Sequence, residues 1–144
     1  MKIAICGSLD FTEEIKILAD ALEARGFEVE IPPTSRLILG GELTVEQVKA
    51  EKADGTFSER ATKVDAIRRY WKIIQTADAV LIANYDKKGV TGYVGGNTFL
   101  EIGFAHVLDK QIYLVNAIPD MPYTDEIKTM QPVIIDGDVS KISA

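Results

Sequence analysis

A run of five apolar residues, Ala79–Ala83, lies between the charged Asp78 and the polar Asn84. A strand that is apolar on both faces is typical of a parallel sheet covered by helices on its two sides. Four further short segments with the pattern of strands alternate with segments of helical spacing, and they cover Lys2–Cys6, Phe27–Ile31, Ile112–Val115 and Val133–Ile135. This alternation predicts an α/β fold with a doubly wound, flavodoxin-like five-stranded parallel sheet in the order 2-1-3-4-5 and helices on both faces.

Three residue pairs have the spacing of a capping box, in which two side chains satisfy the free backbone N–H groups at a helix start. These pairs are Asp10 with Glu13, Thr44 with Gln47, and Thr56 with Glu59. The last pair predicts one helix through Gln75, with an apolar face formed by Val64, Ile67, Trp71 and Ile74. Two later helices are predicted over Asn97–Leu108 and around Asp125–Met130.

The chain length of 144 residues predicts a single domain over residues 1–144. Between about residues 34 and 58 the apolar periodicity weakens, and we interpret this segment as an insertion with one short helix. Connections of this length often form lids or contacts between subunits, and both roles are hypotheses for this segment.

The charge balance restricts the partners that the chain can bind. With a formal net charge of -6 and a sequence pI near 4.8, the chain lacks the broad basic surface that a nucleic acid polymer requires. A single phosphate is compatible with this composition, because a few backbone N–H groups and one lysine are enough to hold it.

Cys6 is the only cysteine, and the first residues lack the pattern of a signal peptide, so we expect a cytoplasmic protein without an intramolecular disulfide. Cys6 itself is expected to be a buried, inert side chain. No apolar run approaches the roughly 20 residues that span a bilayer, so no membrane association is expected. His106 is the only histidine, which gives no basis for a metal site or a Ser-His-Asp triad. No cofactor is predicted.

In a sheet of the predicted order, ligands bind where strands one and three end. The residues expected at these ends are Gly7, Ser8 and Leu9 after strand one, and Asn84, Tyr85 and Asp86 after strand three. The backbone N–H groups of the first set are suited to a phosphate or a base. Lys87 and Lys88 follow the second set, and we interpret them as solvated loop charges.

The helix after Gly95 and Gly96 is apolar nearly all round, yet it carries Glu101 among apolar neighbours. A partly buried carboxylate requires hydrogen bonds or a ligand, and the nearby helix start is expected to keep it ionised. An ionised and desolvated carboxylate is a usable nucleophile. From its position alone, Glu101 fits equally well a residue that only stabilises the helix start.

The strand TADAVLIAN and the segment GGNTFLEIGFAHVLDKQIYLV resemble the nucleoside 2-deoxyribosyltransferase superfamily, which includes nucleotide N-glycoside hydrolases. The opening strand with Gly7 and Ser8 is similar too, whereas the insertion is not covered. The resemblance implies that Glu101, in a Glu-x-Gly motif, attacks the anomeric carbon of a nucleoside or nucleoside 5′-monophosphate. It further implies that Asp78 contacts the substrate and that the protein is a homo-oligomer. Gly95 and Gly96 permit close backbone approach to a sugar or phosphate, although a Gly pair is also common in turns, and Asn97 beside them is a candidate substrate contact.

Two positions depart from the pattern of this superfamily. An aspartate that assists the leaving base is replaced by Tyr70, so the general acid is open. A glycine four residues before the glutamate is replaced by Asn97, which we expect to cap its helix in addition to any ligand contact. These departures keep a second function open, in which the chain binds a nucleoside or nucleotide without turnover. A receiver or flavodoxin-like electron carrier shares the topology but lacks its characteristic residues here.

Overall fold

The computed structural model describes all 144 residues and contains a five-stranded sheet. Every strand pair is parallel and the order is β2-β1-β3-β4-β5, which confirms the predicted fold. The strands are β1 (Lys2–Cys6), β2 (Glu28–Glu30), β3 (Ala79–Ile82), β4 (Gln111–Leu114) and β5 (Val133–Ile134). The helices are α1 (Thr12–Glu23), α2 (Pro33–Leu39), α3 (Val45–Asp54), α4 (Phe57–Lys63), α5 (Ala66–Thr76), α6 (Gly96–Val107) and α7 (Thr124–Thr129).

Alternate residues of the central strands belong to different layers of the core. Ile3 and Ile5 of β1 pack with the buried face of α1, whereas Ala4 and Cys6 pack with α5, α6 and α7. All four residues are inaccessible to solvent, so β1 is buried on both faces, as is the apolar run Ala79–Ala83. None of the helices combines the length and the apolar character needed to cross a bilayer.

The segment from 34 to 58 is more helical than predicted. Instead of one short helix it contains most of α2, all of α3 and the start of α4. The capping box at the start of α3 is confirmed: the N–H of Gln47 donates to Oγ1 of Thr44 at 3.1 Å, and the N–H of Thr44 donates to Oε1 of Gln47 at 2.7 Å. Because Val48 is the only buried residue of α3, apolar periodicity carried little signal for this helix.

The prediction of a single helix over Thr56–Gln75 is wrong, because the helix is interrupted between α4 and α5. Asp65 adopts the left-handed conformation with a φ of 49°, which no helix can continue through. The predicted apolar face is divided as a result. Ile74 is buried, whereas Val64 and Ile67 are 46% and 52% exposed.

The other two predicted capping boxes are also wrong. Ser8, rather than Asp10, caps a short 3-10 turn that precedes α1, by accepting a hydrogen bond from the N–H of Asp10. Near α4, Asp54 accepts hydrogen bonds from the N–H and the hydroxyl of Thr56, so Thr56 does not cap the helix. In both places a side chain two residues earlier, Ser8 or Asp54, accepts the hydrogen bond.

Candidate functional site

A cavity of about 820 Å³ opens at the carboxyl edge of the sheet. Its walls come from the loops after β1 and β3, from α2, α3 and α4, and from α5 and α6. The predicted site residues on its wall are Gly7, Ser8, Leu9, Gly95, Gly96, Asn97 and Glu101. The volume lies in the range of sites that enclose small organic ligands.

Gly7 permits a close approach between the first loop and the end of β3. A Cβ atom at this position would lie 3.1 Å from both the Cβ and the carbonyl oxygen of Ala83, which is tighter than an ordinary contact. Because Gly7 has no side chain, the backbone of Gly7 and Ser8 can lie close to Ala83 and still line the cavity, where its polar groups are accessible to a ligand.

The start of α6 forms the facing wall. Gly95 is the N-cap residue and makes no side-chain capping contact, so the free N–H groups of the first turn are available. The expectation that Asn97 caps this helix is wrong, because the helix already begins at Gly96 and Asn97 lies within its first turn. The exposed Asn97 amide lies on the cavity wall instead. This helix start is an electropositive surface suited to sugar hydroxyls or an anion.

Glu101 lies in the second turn of α6 and is partly accessible from the cavity. Burial raises the pKa of Glu101 to about 8, and an interaction with the Cys6 thiol offsets only part of this increase. Burial therefore opposes the ionisation that the helix start is expected to favour. The carboxyl is mostly protonated at pH 7 and becomes an anion above about pH 8.

Cys6 and Tyr70 enclose the inner side of Glu101, and both are buried. Burial raises the pKa of the Cys6 thiol and of the Tyr70 phenol well above their usual values, and the proximity of Glu101 adds to both shifts. The Tyr70 hydroxyl donates its proton to the backbone carbonyl of Ile5. A phenol that is held neutral and engaged in this way is a poor general acid.

The residues predicted after β3 stabilise loops rather than line the cavity. The amide of Asn84 donates to the carbonyls of Asn116 and Ala117 at 3.0 Å, and its oxygen accepts from the N–H of Asn116 at 2.9 Å. Oδ1 of Asp86 accepts from the N–H of Gly92 at 2.9 Å and closes the loop. Tyr85 packs edge-on against Phe11. The residues that lie outside the cavity lining are Asn84, Tyr85 and Asp86.

Asp78 lies at the opposite end of the sheet from the cavity. It precedes β3, and its Oδ2 accepts a hydrogen bond of 2.7 Å from the backbone N–H of Lys2. This contact joins the amino ends of β1 and β3. The structure therefore does not bring Asp78 together with Glu101.

The sequence analysis missed several cationic residues of the site. Lys87 was interpreted as a solvated charge, but its ammonium donates to Ser8 Oγ at 2.8 Å and pairs with Asp10 at 2.9 Å. Lys52 in the insertion and Arg60 just after it also line the cavity, although neither stands in a recognisable motif. Arg68 and Arg69 of α5 line the cavity as well. Contacts between residues this distant in sequence leave no local pattern.

The comparison with solved structures finds a match along almost the whole chain. The structure superimposes on the CMP N-glycosidase BcmB of Clostridium botulinum with a TM-score of 0.51 and 19% sequence identity, over 94% of this chain and 87% of that one. The chain has the fold of this N-glycosidase. The resemblance seen in the sequence is thereby confirmed at the level of the fold. No protein-family model and no curated protein sequence matches the chain.

Proposed function

We propose that this chain cleaves or transfers the N-glycosidic bond of a nucleoside or a nucleoside 5′-monophosphate, with Glu101 as the nucleophile. The observation that carries the proposal is a desolvated carboxyl with a pKa of about 8 on the wall of a cavity of about 820 Å³. A fold shared with an N-glycosidase supports the same chemistry.

In the proposed reaction, the ionised carboxylate of Glu101 attacks the anomeric carbon of the sugar. The new carbon–oxygen bond forms as the glycosidic carbon–nitrogen bond breaks, and the electron pair of the broken bond leaves with the base. Water then attacks the glycosyl ester, releases the Glu101 carboxylate and supplies the proton that the departed base takes up. A second base in place of water gives transfer instead of hydrolysis.

The remaining cavity residues bind and orient the substrate in this proposal. The backbone of Gly7 and Ser8, with Leu9 beside them, provides one edge. The start of α6 at Gly95, Gly96 and Asn97 provides the other edge, where free N–H groups stabilise sugar oxygens or a phosphate. This arrangement holds the anomeric carbon between the two edges and close to Glu101.

The experiment that tests the proposal follows base release by chromatography from a panel of nucleosides and nucleoside monophosphates, with and without a free acceptor base. Wild type should release or exchange a base, and Glu101→Gln should lower the rate by at least about 10³-fold. Asp109→Asn is the matched control, because it makes the same change at an exposed carboxylate just after α6. Equal rates for wild type and Glu101→Gln would refute the assignment of the nucleophile.

A binding module without turnover is the second candidate, and Tyr70 is the observation that favours it. Its phenol occupies the position where the superfamily supplies a carboxylate for the leaving base, and it is engaged with the Ile5 carbonyl. Tight binding of a nucleotide to wild type, with no base release across the whole panel, would establish this function instead.

We also propose that the chain forms a homo-oligomer in the cytoplasm through the outer surface of α5 and α6. Four apolar side chains are strongly exposed there: Val64 at 46%, Ile67 at 52%, Leu100 at 44% and Val107 at 80%. An exposed apolar surface of this kind is typical of a contact between proteins. Because three of these residues also line the cavity, a second copy would lie beside the site.

A further inference from the structure

The cavity is rich in positive charge although the chain carries a net charge of -6. The cations on its wall are Lys52, Arg60, Arg68, Arg69, Lys87 and Lys88, whereas the carboxyls are Asp65 and Glu101. Of these two carboxyls, Asp65 is paired with Arg68, and Glu101 is mostly protonated at neutral pH. The charge on the wall therefore favours an anionic ligand.

Lys52 is one of three cations on the wall that form no ion pair, together with Arg69 and Lys88, whereas the neighbouring Lys87 pairs with Asp10 at 2.9 Å. Partial burial lowers the pKa of Lys52, and the positive charges of Lys87 and Lys88 lower it further while Asp10 opposes them. An anion beside Lys52 would relieve this repulsion.

Arg60 presents an unused donor at the same place. Its Nε donates to Oε2 of Glu51 at 2.7 Å, which fixes the guanidinium, but its Nη2 is buried and has no hydrogen-bond partner in the chain. The guanidinium of Arg60 and the ammonium of Lys52 both lie against the ring of Phe57, at 5.6 and 4.9 Å from its centre. Buried donors are almost always satisfied in folded proteins, so Nη2 of Arg60 favours an acceptor from a ligand bound beside Lys52.

We propose that Lys52 and Arg60, with Lys87 beside them, form an anion subsite that binds a phosphate or carboxylate group of the substrate. The proposal rests on the proposed function, because it takes the anion to be part of a nucleoside-type ligand. Both residues belong to α3 and α4, which lie in and just after the insertion that does not resemble the superfamily. The insertion is therefore a specificity element of this chain, in which a lysine and a fixed guanidinium donate charge-assisted hydrogen bonds to an oxyanion.

The test measures binding by calorimetry in a Glu101→Gln background, where turnover does not interfere. AMP, CMP, GMP and UMP are each compared with their nucleosides, which tests a phosphate. Orotidine is compared with uridine, which tests a carboxylate on the base. We expect the anionic member of at least one pair to bind more tightly, with the preferred pair identifying the source of the anion.

Lys52→Met should then weaken binding of that anionic ligand by roughly ten- to a hundredfold and change the neutral member by less than about threefold. Lys52→Arg should retain most of the preference. Lys63→Met is the matched control, because it removes an exposed lysine of α4 that lies outside the cavity.

Three results would overturn the subsite: no binding by any ligand, equal binding within every pair, or an equal loss for both members of a pair in Lys52→Met. The proposed glycosidic chemistry fails separately. Charge-selective binding without base release by wild type would refute the chemistry and keep the subsite, whereas base release without any preference for an anion would refute the subsite alone.

Discussion

At the scale of single residues, the proposed chemistry depends on the protonation of Glu101. Burial beside Cys6 and Tyr70 raises the pKa of this carboxyl to about 8, so the nucleophilic form is a minor species at neutral pH. A carboxylate with a raised pKa is also a stronger base and nucleophile once it is ionised. At neutral pH the free energy needed to ionise Glu101 therefore adds to the activation barrier of the proposed reaction.

The rate of base release should follow the ionisation of Glu101. Because only the carboxylate attacks, kcat/KM should increase tenfold per pH unit well below pH 8 and level off above it. The measurement is the pH profile of kcat/KM between pH 5 and 10 with a neutral nucleoside. A profile that is already flat from pH 5 upward would contradict a nucleophile with this pKa.

The same pKa makes a prediction about stability. A carboxyl whose pKa is higher in the folded state than in the unfolded state stabilises the fold fully below about pH 4.5, and this contribution is lost as pH rises towards 8. Glu101→Gln cannot ionise, so its free energy of unfolding relative to wild type should increase by a few kcal/mol from pH 5 to pH 9. Urea denaturation of both proteins at the two pH values tests this. A difference independent of pH would show that Glu101 is not desolvated.

At the scale of elements, the loop after β3 is held in place by the backbone of Gly92 and the amide of Asn84. Gly92 has a φ of 68°, and a Cβ atom there would lie 2.8 Å from the carbonyl oxygen of Ala117. This loop carries Lys87 to its contacts with Ser8 and Asp10. Its conformation therefore determines one wall of the cavity.

Gly92→Ala should destabilise the protein, because it combines a left-handed backbone with a steric clash. We expect a loss of roughly 1–3 kcal/mol in the free energy of unfolding, measured by urea denaturation. Gly103→Ala is the control, since it adds a methyl group within α6 where no atom lies within 4 Å. The control should be neutral or slightly stabilising. Equal stability of Gly92→Ala and wild type would contradict this account of the loop.

The sequence predicted some elements of this structure better than others, for physical reasons. The strands and their order followed from apolar runs such as Ala79–Ala83, because burial on both faces leaves a strong local pattern. The break at Asp65 was missed, since a left-handed aspartate leaves no such pattern. Glu101 was singled out by its apolar neighbours, but its pKa depends on burial and on Cys6, which is distant in sequence. Lys52 and Arg60 were missed for the same reason.

At the scale of the whole molecule, the outer surface of α5 and α6, with Val64 just before α5, carries four of the eight large apolar side chains that are exposed. Val107 is 80% exposed there, at the end of a helix whose other side packs on the sheet. A second copy of the chain that covers this surface would also enclose the rim of the cavity, which Val64, Ile67 and Leu100 line. Self-association and the function of the site are linked in this proposal.

Val107→Glu should weaken self-association, because it places a charge on the most exposed apolar residue of the proposed contact. Light scattering should give a mass of at least two chains for wild type and a lower mass for the variant at the same concentration. Ile17→Glu is the matched control, since Ile17 is 67% exposed on α1, on the other side of the sheet. A wild-type protein that is monomeric and fully active would contradict the proposal.

The central claim is that Glu101 becomes covalently attached to a sugar, and peptide mass spectrometry tests it most directly. The protein is incubated with a 2′-deoxy-2′-fluoro nucleoside or nucleotide, in which the fluorine destabilises the oxocarbenium-like transition state and slows release of the glycosyl ester. The account predicts a fluorinated glycosyl group on the peptide that contains Glu101. A label on a different residue, or continued base release from this compound without any label, would contradict it.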